Sequence, residues 1–198
     1  HLPAALGLRP RPGSTVRTRL PSGPVLALIG SRSTVAREQA QLLGAEEGVT
    51  TFVLDIDDLL GGAGRERWNK RGAEVRRALA AGQDVVLVTA LGATVDLEIG
   101  PQLAEALGRF AAESAERIGG LIATGGDIAR AVLGALGAGG LHLLGEVEPG
   151  VPIGIADASR PLPVVTKAGA FGTPPTLQRS RAALKRLIGA AAQGAGSS

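Results

Sequence analysis

Cysteine is absent from the 198 residues, and only two are histidine. The first absence excludes a disulfide framework, a thiol nucleophile and a thiolate metal site. The second makes a dedicated zinc site improbable. Aromatic side chains are nearly missing as well, with Trp68, Phe52, Phe110 and Phe171 as the whole set. The core must then be built from Ala, Leu, Val and Ile, packed closely with the help of 30 glycines. No run of about 18 apolar residues is long enough to cross a membrane. The N-terminus lacks the basic stretch followed by an apolar one that marks a secretory signal, so the expected compartment is the cytoplasm. The chain starts at His1 rather than Met, which is the expected start of a fragment or processed product.

Charge of one sign is also in short supply. The formal net charge is +3, although the sequence pI is near 10.1. Little titrates between the carboxylates and the lysines, so a small Arg excess pushes the pI far upward. A nucleic-acid surface needs a clustered basic stripe interleaved with stacking aromatics. Here the arginines are scattered and the aromatics scarce, and neither a nucleic acid nor a membrane is an expected partner. What is present is ordinary for a globular domain: 44% hydrophobic and 20% charged residues.

Residues 1–8 are mildly helical, and residues 9–24 hold four Pro, two Gly and four Arg without apolar periodicity. That is linker composition. Residues 1–24 are therefore expected to be the end of a preceding domain plus a linker, 25–190 a single domain and 191–198 a flexible tail. Within the domain, apolar runs predict strands at 25–30, 50–55, 84–90, 120–126, 141–147, 152–157 and 162–169. Amphipathic patterns predict helices at 34–47, 65–81, 100–117, 127–137 and 176–189. Alternating strands and helices imply an α/β fold with a mostly parallel or mixed sheet and helices on both faces. The first four strands are expected to be parallel, and the later three to form an antiparallel or mixed edge.

In such sheets, ligands bind at the carboxyl ends of the strands, near helix N-termini. The first strand is followed there by Gly30-Ser31-Arg32-Ser33, the fourth by Thr124-Gly125-Gly126-Asp127, and the last by Thr166-Lys167-Ala168-Gly169. Glycines let the backbone approach an anion, N–H groups at a helix start point at it, and a lysine adds a positive charge. The plainer reading is that these glycines only make tight turns. Neither a G-x-x-x-x-G-K-[ST] loop nor a G-x-G-x-x-G fingerprint is present. The one internal histidine, His142, lies in an apolar strand and reads as structural.

Taken together, the loops resemble the C-terminal nucleotide-binding domain of the four-carbon acid sugar kinase family. The resemblance runs over residues 25 to about 185 and rests on four motifs in order. They are Gly30-Ser31-Arg32-Ser33; Thr124-Gly125-Gly126-Asp127-Ile128; Gly145 to Gly154, reading GEVEPGVPIG; and Thr166 to Gly172, reading TKAGAFG. It departs at Ala36 and Ile128, where the family usually has Thr, and at Ala170, where it has Gly.

The resemblance implies an ATP-binding domain working with Mg²⁺, in an enzyme that phosphorylates a tetronate or 3-oxo-tetronate at its terminal hydroxyl. Ser31, Ser33, Thr124, Gly125, Gly126, Asp127, Lys167 and Gly169 would contact the nucleotide. The sugar acid and the catalytic base would belong to a preceding domain with a DD-x-TG motif, and a homodimer is allowed. Asp57-Asp58-Leu59-Leu60-Gly61 mimics that motif but lacks its Thr and reads as a loop. Because of Ile128, Ala36 and Ala170, a non-enzymatic nucleotide- or sugar-phosphate-binding regulatory module of the same fold stays open as the alternative.

Overall fold

The computed structural model describes residues 20–30, 33–58, 64–90 and 99–195. In chain order the elements are β1 (Val25–Ile29), α1 (Thr34–Gly44), β2 (Val49–Asp55), α2 (Gly64–Ala80), β3 (Asp84–Ala90), α3 (Ile99–Ser114), β4 (Gly120–Thr124), α4 (Gly126–Ala135), β5 (Leu141–Glu148), β6 (Val151–Ala156), β7 (Leu162–Lys167) and α5 (Thr176–Ala195). Short 3₁₀ turns cover Ile56–Asp58 and Ala115–Arg117. The preceding-domain and linker stretch expected at 1–24 lies outside the described residues as far as 19.

Seven strands form one mixed sheet in the order β2-β3-β1-β4-β7-β6-β5. Five neighbours, β2, β3, β1, β4 and β7, are mutually parallel. The parallel set thus extends beyond the expected first four strands to β7. The reason is the β5–β6 hairpin, in which β6 runs antiparallel to both neighbours and returns the chain to the other end of the sheet. β7 then leaves in the original direction and pairs with β4.

Strand alternation divides the core between the two faces. From β1, Leu26 and Leu28 join Val75 and Leu79 of α2, Leu107 and Phe110 of α3, and Val132 of α4. Val25, Ala27 and Ile29 turn the other way, toward Ala36, Ala40 and Leu43 of α1 and Leu177, Leu184 and Ile188 of α5. All five residues of β1 are buried, which is why this strand reads as an unbroken apolar run. With so few rings, the one aromatic pair is local: Trp68 meets Phe110 edge-on, centroids 6.3 Å apart, joining α2 to α3.

Several boundaries differ from the sequence reading. β4 stops at Thr124 and β7 at Lys167, because the following residues leave the ladder to form loops. α5 continues to Ala195, through much of the stretch expected to be a flexible tail; alanines at 190–192 sustain it. His142 is not enclosed by an apolar strand. Its side chain is 76% exposed and lies 3.9 Å from Asp157, because β5 is the outermost strand and has little packed on either face. Leu143 and Leu144 beside it are exposed for the same reason.

The amino end of the sheet is fastened by a buried carboxylate. Asp84, 3% exposed, opens β3. Its Oδ1 accepts the Val25 N–H at 2.6 Å and pairs with Lys185 Nζ at 2.7 Å. Its Oδ2 accepts from Arg181 Nε at 2.7 Å, and Arg181 also pairs with Glu46 at 2.7 Å. Burial works against the guanidinium charge, but the bonds from Asp84 and Glu46 outweigh it and raise the Arg181 pKa. One side chain therefore joins β1, β3 and α5. Without the carboxylate, the buried Val25 N–H loses its acceptor, while Arg181 keeps Glu46 and Lys185 is partly exposed. Asp84→Ala is expected to lower unfolding stability by roughly 1–3 kcal/mol, measured by urea denaturation.

Candidate nucleotide-binding edge

The register of the parallel strands sets the site. Ile29 of β1 pairs with Thr124 of β4, and Thr124 pairs with Lys167 of β7. Three chains therefore leave the sheet at one level and side by side. The ladder is extended by the Gly125 N–H, which donates to Lys167 O at 2.8 Å. From β1 the chain turns toward β2 and from β4 toward β5, in opposite directions along the sheet. The crevice between β1 and β4 is the kind of switch point where open α/β sheets take ligands.

Two helices start beside that crevice. Ser33 is the N-cap residue of α1, extended at φ −62° and ψ 131°, with no side-chain capping bond. Gly125 is the N-cap of α4, at φ 110°, a backbone conformation closed to most other residues. Being glycine, it has no side chain with which to cap the helix. First-turn N–H groups have no intrahelical acceptor, so both starts favour an anion. A Cβ added to Gly126 would meet nothing within 4 Å among the described residues.

The third wall is the loop after β7, and it is held from three sides. Lys167, 3% exposed, donates from Nζ to the carbonyls of Ala168 (2.9 Å), Gly169 (3.0 Å) and Phe171 (3.0 Å). Gln39 of α1, fully buried, donates from Nε2 to Phe171 O at 3.2 Å and Thr173 O at 2.8 Å. Glu148, closing β5, accepts from Thr173 N at 3.0 Å and from the hydroxyls of Thr173 and Thr176, and pairs with Arg179. Burial raises the Glu148 carboxyl, but bonds from Thr176, Thr173 and Arg179 outweigh it and hold it below its usual 4.5. Burial draws Lys167 down to about 8, against the opposing pull of Glu148, so the side chain remains an ammonium at neutral pH.

This arrangement matches a known family. A family model described as a nucleotide-binding C-terminal domain matches residues 26–177. The chain belongs to the four-carbon acid sugar kinase family, as its nucleotide-binding C-terminal domain. It is 40% identical over 154 residues to a D-threonate kinase of Cupriavidus necator, covering 76% of this chain and 37% of that protein. It is 34% identical over 168 residues to a D-threonate kinase of Bordetella bronchiseptica, covering 83% and 41%. A solved Bordetella bronchiseptica protein, a domain of unknown function with bound citrate in a domain-swapped dimer, superposes with a TM-score of 0.71 at 37% identity. That match covers 82% of this chain and 41% of the other. A Haemophilus influenzae structure shares the fold at 19% identity and a TM-score of 0.65. The chain thus spans 37% and 41% of the length of these two kinases.

Within this C-terminal domain, Ser33, Gly125, Gly126, Lys167 and Gly169 come together at one edge, whereas Ser31 lies outside the described residues. Thr124 turns its side chain to the α1–α5 face and is fully buried, its Oγ1 without a hydrogen-bond partner among the described residues. Asp127 is 84% exposed beside Arg130. Ile128 is 4% exposed, its side chain packed beneath the glycines of the edge: a Cβ on Gly30 would run into it, and one on Gly125 would lie 3.7 Å from it. It follows two exposed residues of α4, and the helical turn carries it inward. Ala36 is likewise buried, under α1. Asp58 is engaged with Arg67 at 2.6 Å, at the end of β2 and two strands away from β1.

Sequence reasoning missed Gln39 and Glu148 as builders of the loop. The available signal for Gln39 was a polar residue inside the Ala36-Ala40-Leu43 stripe of α1. Because Glu148 has its pKa lowered on folding, its contribution is present above 4.5 and lost as pH falls through the folded-state value. Glu148→Gln is expected to flatten the acid limb, with its Tm dropping less than the parent's between about pH 7 and about pH 3. Thermal melts across that range check this.

Proposed function

We propose that this chain is the ATP-binding half of a kinase that phosphorylates a four-carbon acid sugar, a tetronate or 3-oxo-tetronate, at its terminal hydroxyl. The observation that carries the reading is the in-register ending of β1, β4 and β7, which gathers two helix starts and a glycine loop at one edge. The kinase relatives named for D-threonate support the substrate class. The first-turn N–H groups at Gly126 and Asp127 would receive phosphate oxygens, with Ser33 and Gly169 at the flanks and Ser31 beside Ser33. Thr124 would support the turn from beneath. Lys167 would serve through the loop it holds.

ATP supplies the transferable phosphoryl group, and Mg²⁺ neutralises the charge on the phosphates in such reactions. The described residues contain no group of three or more His, Asp or Glu side chains able to hold a metal. In this reading Mg²⁺ therefore arrives with the nucleotide. The sugar acid and the catalytic base are assigned to the part of the kinase relatives that this chain does not span. This domain alone would then bind nucleotide without turnover. The described helices include none long and apolar enough to cross a membrane. A dimer fits the same reading, given the domain-swapped relative.

Of the residues that motivated a regulatory module, Ile128 and Ala36 are buried, whereas Ala170 is exposed on the loop after β7. The relatives named as kinases favour the kinase reading. Thermal unfolding with ATP, ADP and GTP, each with and without Mg²⁺, is the direct test. A ligand at 100 times its Kd stabilises by about 2.7 kcal/mol. An adenine nucleotide is expected to raise the Tm, and no shift with any nucleotide would count against the reading. Gly126→Val has open space for its side chain. It should fold like the parent yet bind ADP about tenfold more weakly or worse, by titration calorimetry, because it blocks backbone access.

A further inference from the structure

The loop after β7 is shaped by the Lys167 side chain itself. Within five residues, the carbonyls of Ala168, Gly169 and Phe171 converge on a single buried point. Like dipoles pointed at one another repel, and a loop bent this way needs a positive charge at the point of convergence. In loops lined by carbonyls, that charge is commonly a bound metal cation whose hydration shell the carbonyls replace. Here the point is filled from within the chain. Lys167 reaches it from β7, and its three N–H donors meet three acceptors.

The consequence for the loop follows from peptide planarity. Each carbonyl turned toward the ammonium turns the N–H of the next residue the opposite way. The N–H groups of Gly169, Ala170 and Gly172 are therefore directed away from Lys167, on a stretch where Ala170 and Gly172 are exposed. The fourth N–H of the stretch, that of Phe171, closes the turn onto Ala168 O at 3.1 Å. Gly172 sits at φ 89°, and a side chain there would collide with Thr176 and the Glu148 carboxylate. Outward-directed N–H groups of this kind form concave surfaces that favour anions.

We propose that Lys167 is a tethered monovalent cation, which shapes the 168–173 loop as a bound potassium or ammonium ion would and so aims the loop's N–H groups at an anionic ligand. Lys167 is thereby a positioning residue and not a phosphate contact. Identifying the anion as a nucleotide phosphate rests on the function proposed above; the organisation of the loop does not.

The test uses chemical rescue. Lys167→Ala removes the equivalent of n-propylammonium. Amide hydrogen exchange at Phe171 and Thr173, whose N–H groups bond Ala168 O and Glu148, is expected to accelerate about tenfold or more once the loop loses its shape. Added n-propylammonium chloride should restore slow exchange. Tetramethylammonium chloride at equal ionic strength, too bulky and without N–H donors, should not, and neither should 1-propanol, which fills the space without charge. Lys167→Met keeps the apolar stem and covers the case in which the alanine variant does not fold. It should fold, show the same fast exchange, and gain nothing from n-propylammonium, because its side chain occupies the space.

Parental exchange rates in Lys167→Met would overturn the proposal, as would rescue no better with n-propylammonium than with tetramethylammonium. The exchange readout needs no nucleotide. A parent that binds no ADP but shows the rescue pattern would therefore sink the nucleotide reading alone. A parent that binds ADP without the rescue pattern would sink this inference alone. Where the parent binds ADP, affinity in Lys167→Ala should fall and recover in step with exchange.

Discussion

The alignment of β1, β4 and β7 is the constraint on which the ligand edge depends. Because the strands are parallel and in register at Ile29, Thr124 and Lys167, their chains reach the end of the sheet together. Each then does something different: β1 leads into the N-cap of α1, β4 turns through a left-handed glycine into α4, and β7 folds over its own lysine. A slip of one residue in β4 would send Thr124 to the opposite face and carry Gly125 out of its bond to Lys167 O. The site is a property of pairing before it is a property of any loop.

The two ends of the sheet use charge in opposite ways. At the amino end, the Asp84 carboxylate of β3 gathers an N–H from β1 and a guanidinium and an ammonium from α5. At the carboxyl end, the Lys167 ammonium gathers three carbonyls from one loop, with Glu148 on the loop's far flank. One arrangement fixes elements to one another; the other fixes the shape of a single segment. Burial makes both costly to leave half-formed. Both are also where the otherwise aliphatic core on the α1–α5 side becomes polar.

The fold was largely legible in the sequence, because β1, β3 and β4 are continuous apolar runs and α3 and α4 carry clear amphipathic stripes. Local pattern ran out where tertiary context decided the outcome. The direction of β7 depended on the hairpin before it, and the exposure of His142 depended on β5 lying at the border of the sheet. Of the candidate site, the glycine turns were visible because their backbone demands are local. The inward turn of Ile128, the carbonyl clamp of Lys167 and the support from Gln39 and Glu148 were not visible. The support from Gln39 and Glu148 arises from contacts across long sequence separations, Gln39 and Phe171 being 132 residues apart, whereas the Lys167 clamp is local and depends on the backbone path of its loop.

The reversal of direction at β6 also has a bearing on how such a domain diversifies. Because β6 runs against its neighbours, the Pro149-Gly150 turn that joins it to β5 lies at the same end of the sheet as the glycine loops, and Phe171 packs close to Gly150. The wall of the site on that side is thus the tip of a hairpin whose strands are anchored elsewhere. Residues could be gained, lost or exchanged at this tip without altering a helix start or the register of any parallel strand. The fold thereby separates the part that must stay fixed to cradle an anion from a part free to vary with whatever lies beside it.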